Sequence, residues 1–469
     1  MRGNLQMSPR DNGPPVVGQA FDFPSHSGAP RVPDRHLAGA RPERSAARTG
    51  GSGNGGSDGG AALPPAAGGK RPRDLRIDTF RGLALVMIFV DHVPGNPFEA
   101  LTSRNYGFSD AAEGFFVMSG IAAGIAYSGR FAPEILRRDG AWAAISPVWK
   151  RAWTLYLVQV FLTMWAIAIY AWGANTFGLP KLLSEINLRQ VFENTPEALI
   201  GIPALTHQLG YVNILPAYSV LLLGAPLVLF CGLRAPRTTL AVSLVLWFGA
   251  GLFRLNLPNF PNPGGWFFNP VAWQLIFVIG LLTGMHLRKG QRFVPRSRLL
   301  FGLAAGYLIL VVAWMFIPAL ANALNTQLAR LGAAGVPFFI VAHDKTFLSL
   351  PRLLHVLALV YVLSSLPVVK SLCASPLAAP LRLMGRHGLV VFSVGTVVSL
   401  LFQVFLAAEP DSRVLSVVLP LAGLLLQVLV AWGAEIARRP RPRTVQGGLA
   451  RDLTAARSTA KVTIPSVPV

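Results

Sequence analysis

From about residue 77 onward, long apolar runs alternate with short basic or Pro-rich stretches. A helix needs about 20 apolar residues to cross roughly 30 Å of hydrocarbon. Ten segments approach that length: about 77–95, 110–128, 150–173, 209–231, 238–254, 271–287, 298–319, 351–367, 386–407 and 413–435. Backbone groups inside hydrocarbon must be satisfied within the segment, which selects helices over open strands. The pattern therefore predicts an all-α polytopic membrane protein with about ten transmembrane helices. The first run is the weakest by hydropathy, because Asp78, Arg81, Asp91 and His92 interrupt it.

The connecting loops carry an orientation signal. Alternate loops hold Arg130, Arg137, Arg138 and Lys150; then Arg234 and Arg237; then Arg288, Lys289, Arg292, Arg296 and Arg298; then Lys370, Arg382 and Arg386. The intervening loops are poorer in basic residues or balanced by acids. Basic loops stay in the cytoplasm, so both termini are expected there. No internal repeat stands out.

Composition strengthens this reading. The 469 residues are 52% hydrophobic and 13% charged, with a mean hydropathy of +0.48; soluble domains carry about 25% charge. The lipid bilayer is thus the first partner implied. A net charge of +21 would suggest nucleic acid in a soluble protein, but here the basic residues follow the topology, so nucleic acid is not expected. Cys231 and Cys373 lie far apart, with no disulfide framework and no metal-ligand spacing. Residues 1–72 are rich in Gly, Pro, Ala and Arg, without the apolar stretch of a signal peptide. They read as a disordered low-complexity segment, before a membrane domain over 73–437 and a basic, disordered cytoplasmic tail over 438–469.

Candidate chemistry starts in the first run. Arg81 and His92 are eleven positions apart, which at about 100° per residue puts them on nearly one face, roughly 16 Å apart. Leu85 and Ile88 lie between them on that face. An ionisable residue inside a membrane span marks a functional site by default. His92 could take a proton from a hydroxyl at neutral pH, with Asp91 beside it; the competing reading is a structural histidine. Arg81, near the cytoplasmic end, suits the phosphates of a cytosolic acyl donor, or else marks the inner boundary with Asp78. Arg151 and Arg386 at neighbouring inner ends could join the same phosphate site or serve only as topology signals.

The second run opens with Asp110 and Glu113, spaced as a capping box; Glu113 could instead orient the His92 imidazole. Ser119 has no visible base, and Gly120 and Gly124 form a pattern that lets helices approach closely. In an outer loop Trp266 and Trp273 could stack on sugar rings, with Asn269 and Gln274 bonding hydroxyls; the alternative is an interfacial aromatic belt. A further outer cluster holds His343, Asp344, Lys345, Arg352 and His355. Arg352 and His355, one turn apart, are expected to face one cavity as candidate substrate-binding residues, while Asp344 and Lys345 read as solvated loop. No phosphate loop, dinucleotide fingerprint or metal set appears.

These residues carry a resemblance. DLRIDTFRGLALVMIFVDHVPGNP followed by SDAAEGFFVMSG resembles the OpgC type of membrane protein, as do NILPAYSVLLLGAPLVL, LPNFPNPGGWFFNPVAWQL, DKTFLSLPRLLHVLALVYV and GRHGLVVFSVGTVVSL. The resemblance runs in order from about residue 72 to 435. Members of that family are associated with adding succinyl groups to osmoregulated periplasmic glucans and are similar to the type-three membrane acyltransferases. Those are marked by a basic residue, ten others, then histidine, as at Arg81 and His92. They often have two arginines three apart opening the third helix, where this chain has Arg151 and Thr154. The resemblance implies an inner-membrane O-acyltransferase using acyl-coenzyme A, on family grounds succinyl-coenzyme A, as donor substrate with no bound cofactor. The implied acceptor is a periplasmic glucan or other carbohydrate, and a glucan synthase could be a partner. The competing function is a carrier or exporter of a glucan or acyl compound; a purely structural membrane protein leaves Arg81 and His92 unexplained.

Overall fold

The structure, a computed structural model, describes residues 74–438. The expected extensions, 1–72 and nearly all of 438–469, lie outside the described residues. In chain order the helices are α1 (Leu75–Asp91), α2 (Ala111–Tyr127), α3 (Pro133–Phe177), α4 (Arg189–Glu193), α5 (Thr195–Gly201), α6 (Ile214–Arg234), α7 (Pro236–Leu252) and α8 (Pro270–Arg288). Then come α9 (Arg298–Phe316), α10 (Pro318–Ala333), α11 (Phe338–Val341), α12 (Leu350–Ser365), α13 (Pro367–Ala374), α14 (Ala379–Arg386), α15 (Gly388–Ala408) and α16 (Arg413–Ala437). No β-strand occurs among the described residues. The protein is an all-α, multi-pass membrane protein.

All ten expected segments are helical over most of their length. Seven, the helices α2 (with the 3₁₀ turn that extends it), α3, α6, α8, α9, α15 and α16, are long and apolar enough to cross a membrane. An eighth is the pair α12 and α13, bent by 78° where Pro367 withholds a backbone N–H and starts a new helix. The other two, α1 and α7, have 17 residues each, at the lower limit for a span.

Boundaries differ where local chemistry intervenes. The third helix begins at Pro133 and runs 45 residues through a break at Gly140, whose φ of 80° suits glycine. Residues 209–213 form a loop rather than helix. The seventh run ends at Phe316, and Pro318 opens α10, a helix that hydropathy did not indicate. Side-chain caps set other starts: Asp74 for α1, Asn269 for α8, Ser297 for α9 and Ser412 for α16.

Packing explains the low hydropathy of α1. It is an interior helix: Leu85 and Ile88 are buried, as are Asp78, Thr79, Phe89 and Val90. Lipid-facing helices such as α9 instead expose Leu299, Leu303 and Ile309. Glycines fix two close helix contacts. A Cβ on Gly120 or Gly124 would meet backbone carbonyls of α8 at 2.2 Å, and one on Gly284 would meet Ile121 at 2.2 Å. Gly82 and Gly385 bring α1 against α14 so tightly that a Cβ on either would lie 1.9 Å from the other helix's carbonyl oxygen.

Candidate functional site

Arg81 and His92 mark the two ends of α1. Arg81 lines a cleft together with Arg151, Phe115, Leu155, Leu215, Tyr218, Gly388, Leu389 and Phe392. The cleft encloses about 10 Å³, the room of about one water. Gly388 makes the guanidinium's position possible, because a Cβ there would stand 3.1 Å from Arg81 Nη2. Arg81 and Arg151 are thus brought together from helices 70 positions apart in sequence. Arg386 is not among the lining residues. It lies 3.8 Å from Asp78 and 3.7 Å from Glu435, and the neighbouring His387 Nε2 is 2.8 Å from Glu435. That group ties α1, α14 and α16 together beside the cleft.

A larger groove, about 480 Å³, lies on α3 between Trp142, Trp149, Lys150 and Trp153. Its tryptophans are exposed next to a basic helix end, the arrangement of an interfacial aromatic belt.

His92 caps the C-terminus of α1, its N–H bonding to the Phe89 and Val90 carbonyls. The chain then turns at Pro94 and Gly95, and Asn96 Nδ2 holds the turn by donating to the Val90 and Val93 carbonyls. The His92 carbonyl accepts a 2.7 Å hydrogen bond from Gln403 Nε2 of α15, and Gln403 Oε1 accepts from the Tyr170 hydroxyl of α3. The ring stands edge-on to Tyr211, 4.9 Å between centroids. No hydrogen bond reaches either ring nitrogen among the described residues, whereas His286, His355 and His387 all spend a nitrogen on protein partners. Lys345, Asp110 and Arg104 are the charged groups that act on the His92 ring.

Two of those charges belong to a buried ionic cluster. Asp110 and Glu113 form the expected capping box of α2. Glu113, fully buried, also accepts from Arg352, with Nε at 2.7 Å and Nη2 at 2.5 Å. Asp110 pairs with Lys345 and lies 3.4 Å from Arg352 Nη2. Two carboxylates and two cations balance, as buried charges must. Burial alone would raise the Asp110 carboxyl, but Lys345 and Arg352 outweigh it and hold the group below the usual carboxylate range. One turn beyond Arg352, His355 Nδ1 lies 2.6 Å from the Ser109 hydroxyl. Arg352 and His355 thus both engage the segment that opens α2.

The remaining expected site residues sit apart from this cluster or serve the scaffold. Asp91 faces Arg104 at 3.5 Å and makes no hydrogen bond to His92. Trp266 is 4% exposed and donates to the Pro258 carbonyl. Asn269 is buried, caps α8 and donates to the Leu255 carbonyl. Gln274 exchanges hydrogen bonds with Ser243. Trp273 is buried and donates to the Lys345 carbonyl. His343 packs on Phe108 and Trp314. Lys345 is not solvated loop: it is folded back onto Asp110 and over the Phe267 and Phe268 rings. Tyr211, Gln403, Tyr170 and Ser109 had no sequence signal; each meets its partner only through the tertiary fold.

A family model described as "OpgC protein" matches residues 73–439. No curated protein and no solved structure gives a significant match.

Proposed function

The chain belongs to the OpgC family, and from that premise we propose that it is an inner-membrane O-acyltransferase that moves an acyl group, succinyl on family grounds, from cytoplasmic acyl-coenzyme A to a hydroxyl of a periplasmic glucan. The observation that carries this reading is the pairing on α1 of an arginine that enters a two-arginine cleft at the basic end with a histidine whose ring nitrogens are left uncommitted at the other.

In this mechanism the donor's phosphates dock at Arg81 and Arg151, whose forked donors match them, and donor entry widens the cleft. The thioester reaches into the bundle along the stripe of Leu85 and Ile88. His92 takes the proton of the acceptor hydroxyl, the oxygen attacks the thioester carbonyl, and the C–S bond breaks. The coenzyme A thiolate leaves and recovers a proton. General-base assistance contributes about 10²–10⁴-fold. The paired charges of Asp110, Glu113, Lys345 and Arg352 hold the far end of α2 against α12 and fix the surroundings of the ring. Glu113 acts through the cap and the Arg352 contact, and Asp91 through Arg104.

The test uses purified protein in detergent with radiolabelled succinyl-coenzyme A and a soluble glucan. Covalent product that is lost in His92→Ala while donor binding persists supports the mechanism. Undiminished product in His92→Ala removes the catalytic assignment, and glucan transport into vesicles without any acylated product assigns the protein to the carrier class.

A further inference from the structure

The loops on the His92 side contain polar groups that neither the fold nor the proposed chemistry uses. His207 is 2% exposed, yet neither ring nitrogen has a hydrogen-bond partner; the Asn187 backbone lies beside the ring without reaching bonding geometry. Next to it, Gln208 is buried with Oε1 unpartnered, although its amide nitrogen donates to the Leu205 carbonyl. Across from them, Asn259 Oδ1 and Asn262 Nδ2 are also buried without partners. Both loops pack against Gly201 at the end of α5, where a Cβ would lie 2.7 Å from the Phe260 carbonyl oxygen and 2.8 Å from His207 Cβ. Buried polar groups in folded proteins almost always find partners, so a cluster of exceptions asks for a reason.

The chemistry of these groups is specific. None carries a fixed charge, and burial lowers the His207 pKa, keeping the ring neutral with one donor and one acceptor. Asn262 adds a donor; Gln208 and Asn259 add acceptors. A mixed set of neutral donors and acceptors fits hydroxyl groups, each of which both gives and takes a hydrogen bond. It does not fit a phosphate or a carboxylate, which need donors and positive charge. Phe260, between the two asparagines, is 44% exposed and offers an apolar face to a sugar ring.

The position ties this cluster to the reaction centre. His207 and Tyr211 lie on one loop, four residues or at most about 14 Å apart, and Tyr211 stands against the His92 ring. Leu205 and Tyr211 both adopt left-handed backbone, with φ of 61° and 66°, a cost that L-residues bear where the loop's shape is over-determined.

We propose that loops 205–211 and 257–262 form a carbohydrate subsite that binds the neutral sugar units flanking the one acylated at His92, with His207 and Asn262 as its principal hydrogen-bonding residues. The proposal rests on the acyltransferase reading for the identity of the acceptor, a glucan chain. The chain lies over Phe260, and the loops part at Gly201 to turn the unpartnered groups toward it.

The experiment titrates full-length protein in detergent with linear glucose oligomers, from glucose to the hexasaccharide, by calorimetry, and measures acyl transfer to the same series. The wild type is expected to bind longer chains more tightly. Loss of a neutral hydrogen-bond pair in His207→Phe should weaken hexasaccharide binding about tenfold, and Asn262→Ala about threefold. Neither should change transfer to glucose or the affinity for acyl-coenzyme A. Affinity that does not rise with chain length in the wild type overturns the proposal, as does unchanged hexasaccharide binding in both variants. If His207→Phe does not fold, Asn262→Ala on the surface loop and the wild-type length series decide the question alone. Length-dependent binding that is lost in the variants, but without acylated product from any protein, sustains the subsite and removes the acyltransferase reading.

Discussion

The Glu113–Arg352 pair should be strongly coupled, and a double-mutant cycle measures how strongly. Glu113 is fully buried and Arg352 nearly so, with contacts of 2.7 and 2.5 Å. Unit charges about 4 Å apart attract by about 4 kcal/mol at an effective dielectric of about 20. Breaking a buried pair by removing one partner costs about 3–5 kcal/mol, because the other charge is left stranded. Arg352→Met strands Glu113 and leaves Lys345 alone against two carboxylates, so its cost should fall in the upper half of that range. Glu113→Gln keeps the shape of the cap and can still accept from Arg352, so about 2–3 kcal/mol is expected. The double variant strands no member of this pair and should cost no more than Arg352→Met alone, a coupling of about 2–3 kcal/mol. The assay is equilibrium unfolding in mixed micelles titrated with sodium dodecyl sulfate. If the two single costs add to within about 0.5 kcal/mol, the side chains are not acting as a buried pair and the account of the cluster is wrong.

Other outcomes follow from the same geometry. Gly284→Leu puts a side chain where even a Cβ meets the Ile121 carbonyl at 2.2 Å; it should separate α2 from α8 and abolish the folded, monodisperse protein on size-exclusion chromatography. Arg81→Ala and Arg151→Ala should each raise the KM for acyl-coenzyme A about tenfold or more, as loss of a charge-assisted phosphate contact implies, with little change in KM for the glucan. Gln403→Leu releases the His92 carbonyl and the Tyr170 hydroxyl; kcat should fall about tenfold or more through misplacement of the ring, with donor KM unchanged. The stability contributed by Asp110 is present above its unfolded pKa of about 3.9 and is lost as pH falls through its lower folded value. The deficit of Asp110→Asn, read by the same unfolding assay, should therefore be constant from about pH 8 to 5 and shrink below about pH 4.

What could be read from the sequence was whatever is enforced locally. Bilayer thickness imposes run length, so the ten segments were visible. The Asp110 and Glu113 box was visible because it closes within four residues, and Arg352 and His355 could be placed on one face because helical geometry alone puts them there. The partners were not visible. Glu113 meets Arg352 across 239 positions, Ser109 meets His355 across 246, and the His92 carbonyl meets Gln403 across 311; no periodicity encodes such distances. Lys345 looked solvated because its neighbours are polar, but the loop before α12 folds it onto α2. Trp266 and Asn269 looked like a sugar platform. A turn closed by the Asn256 and Trp266 hydrogen bonds and the cap of α8 uses them instead. Helix α10 was hidden because its alternating polar residues depress hydropathy below that of a span.

The distribution of commitments among the polar groups separates a working site from a scaffold more sharply than their identity does. Inside this bundle nearly every ionisable side chain has an assigned partner: Asp110 and Glu113 hold Lys345 and Arg352, Asp91 holds Arg104, and Glu435 holds His387 and Arg386. Such pairing is what the low dielectric demands and carries no functional message by itself. His92 departs from it. Its backbone is fixed at both N–H and carbonyl, while its ring rests against Tyr211 and gives neither nitrogen to the protein. In the proposed mechanism those uncommitted nitrogens are what the acceptor hydroxyl meets. His355 and His387 show a different pattern, each with one ring nitrogen engaged by the protein. His207 on the neighbouring loop and His343 beside Phe108 and Trp314 also lack a ring hydrogen bond among the described residues; under the proposals above, His92 lies where an acceptor hydroxyl would lose its proton and His207 where the rest of the chain would be held.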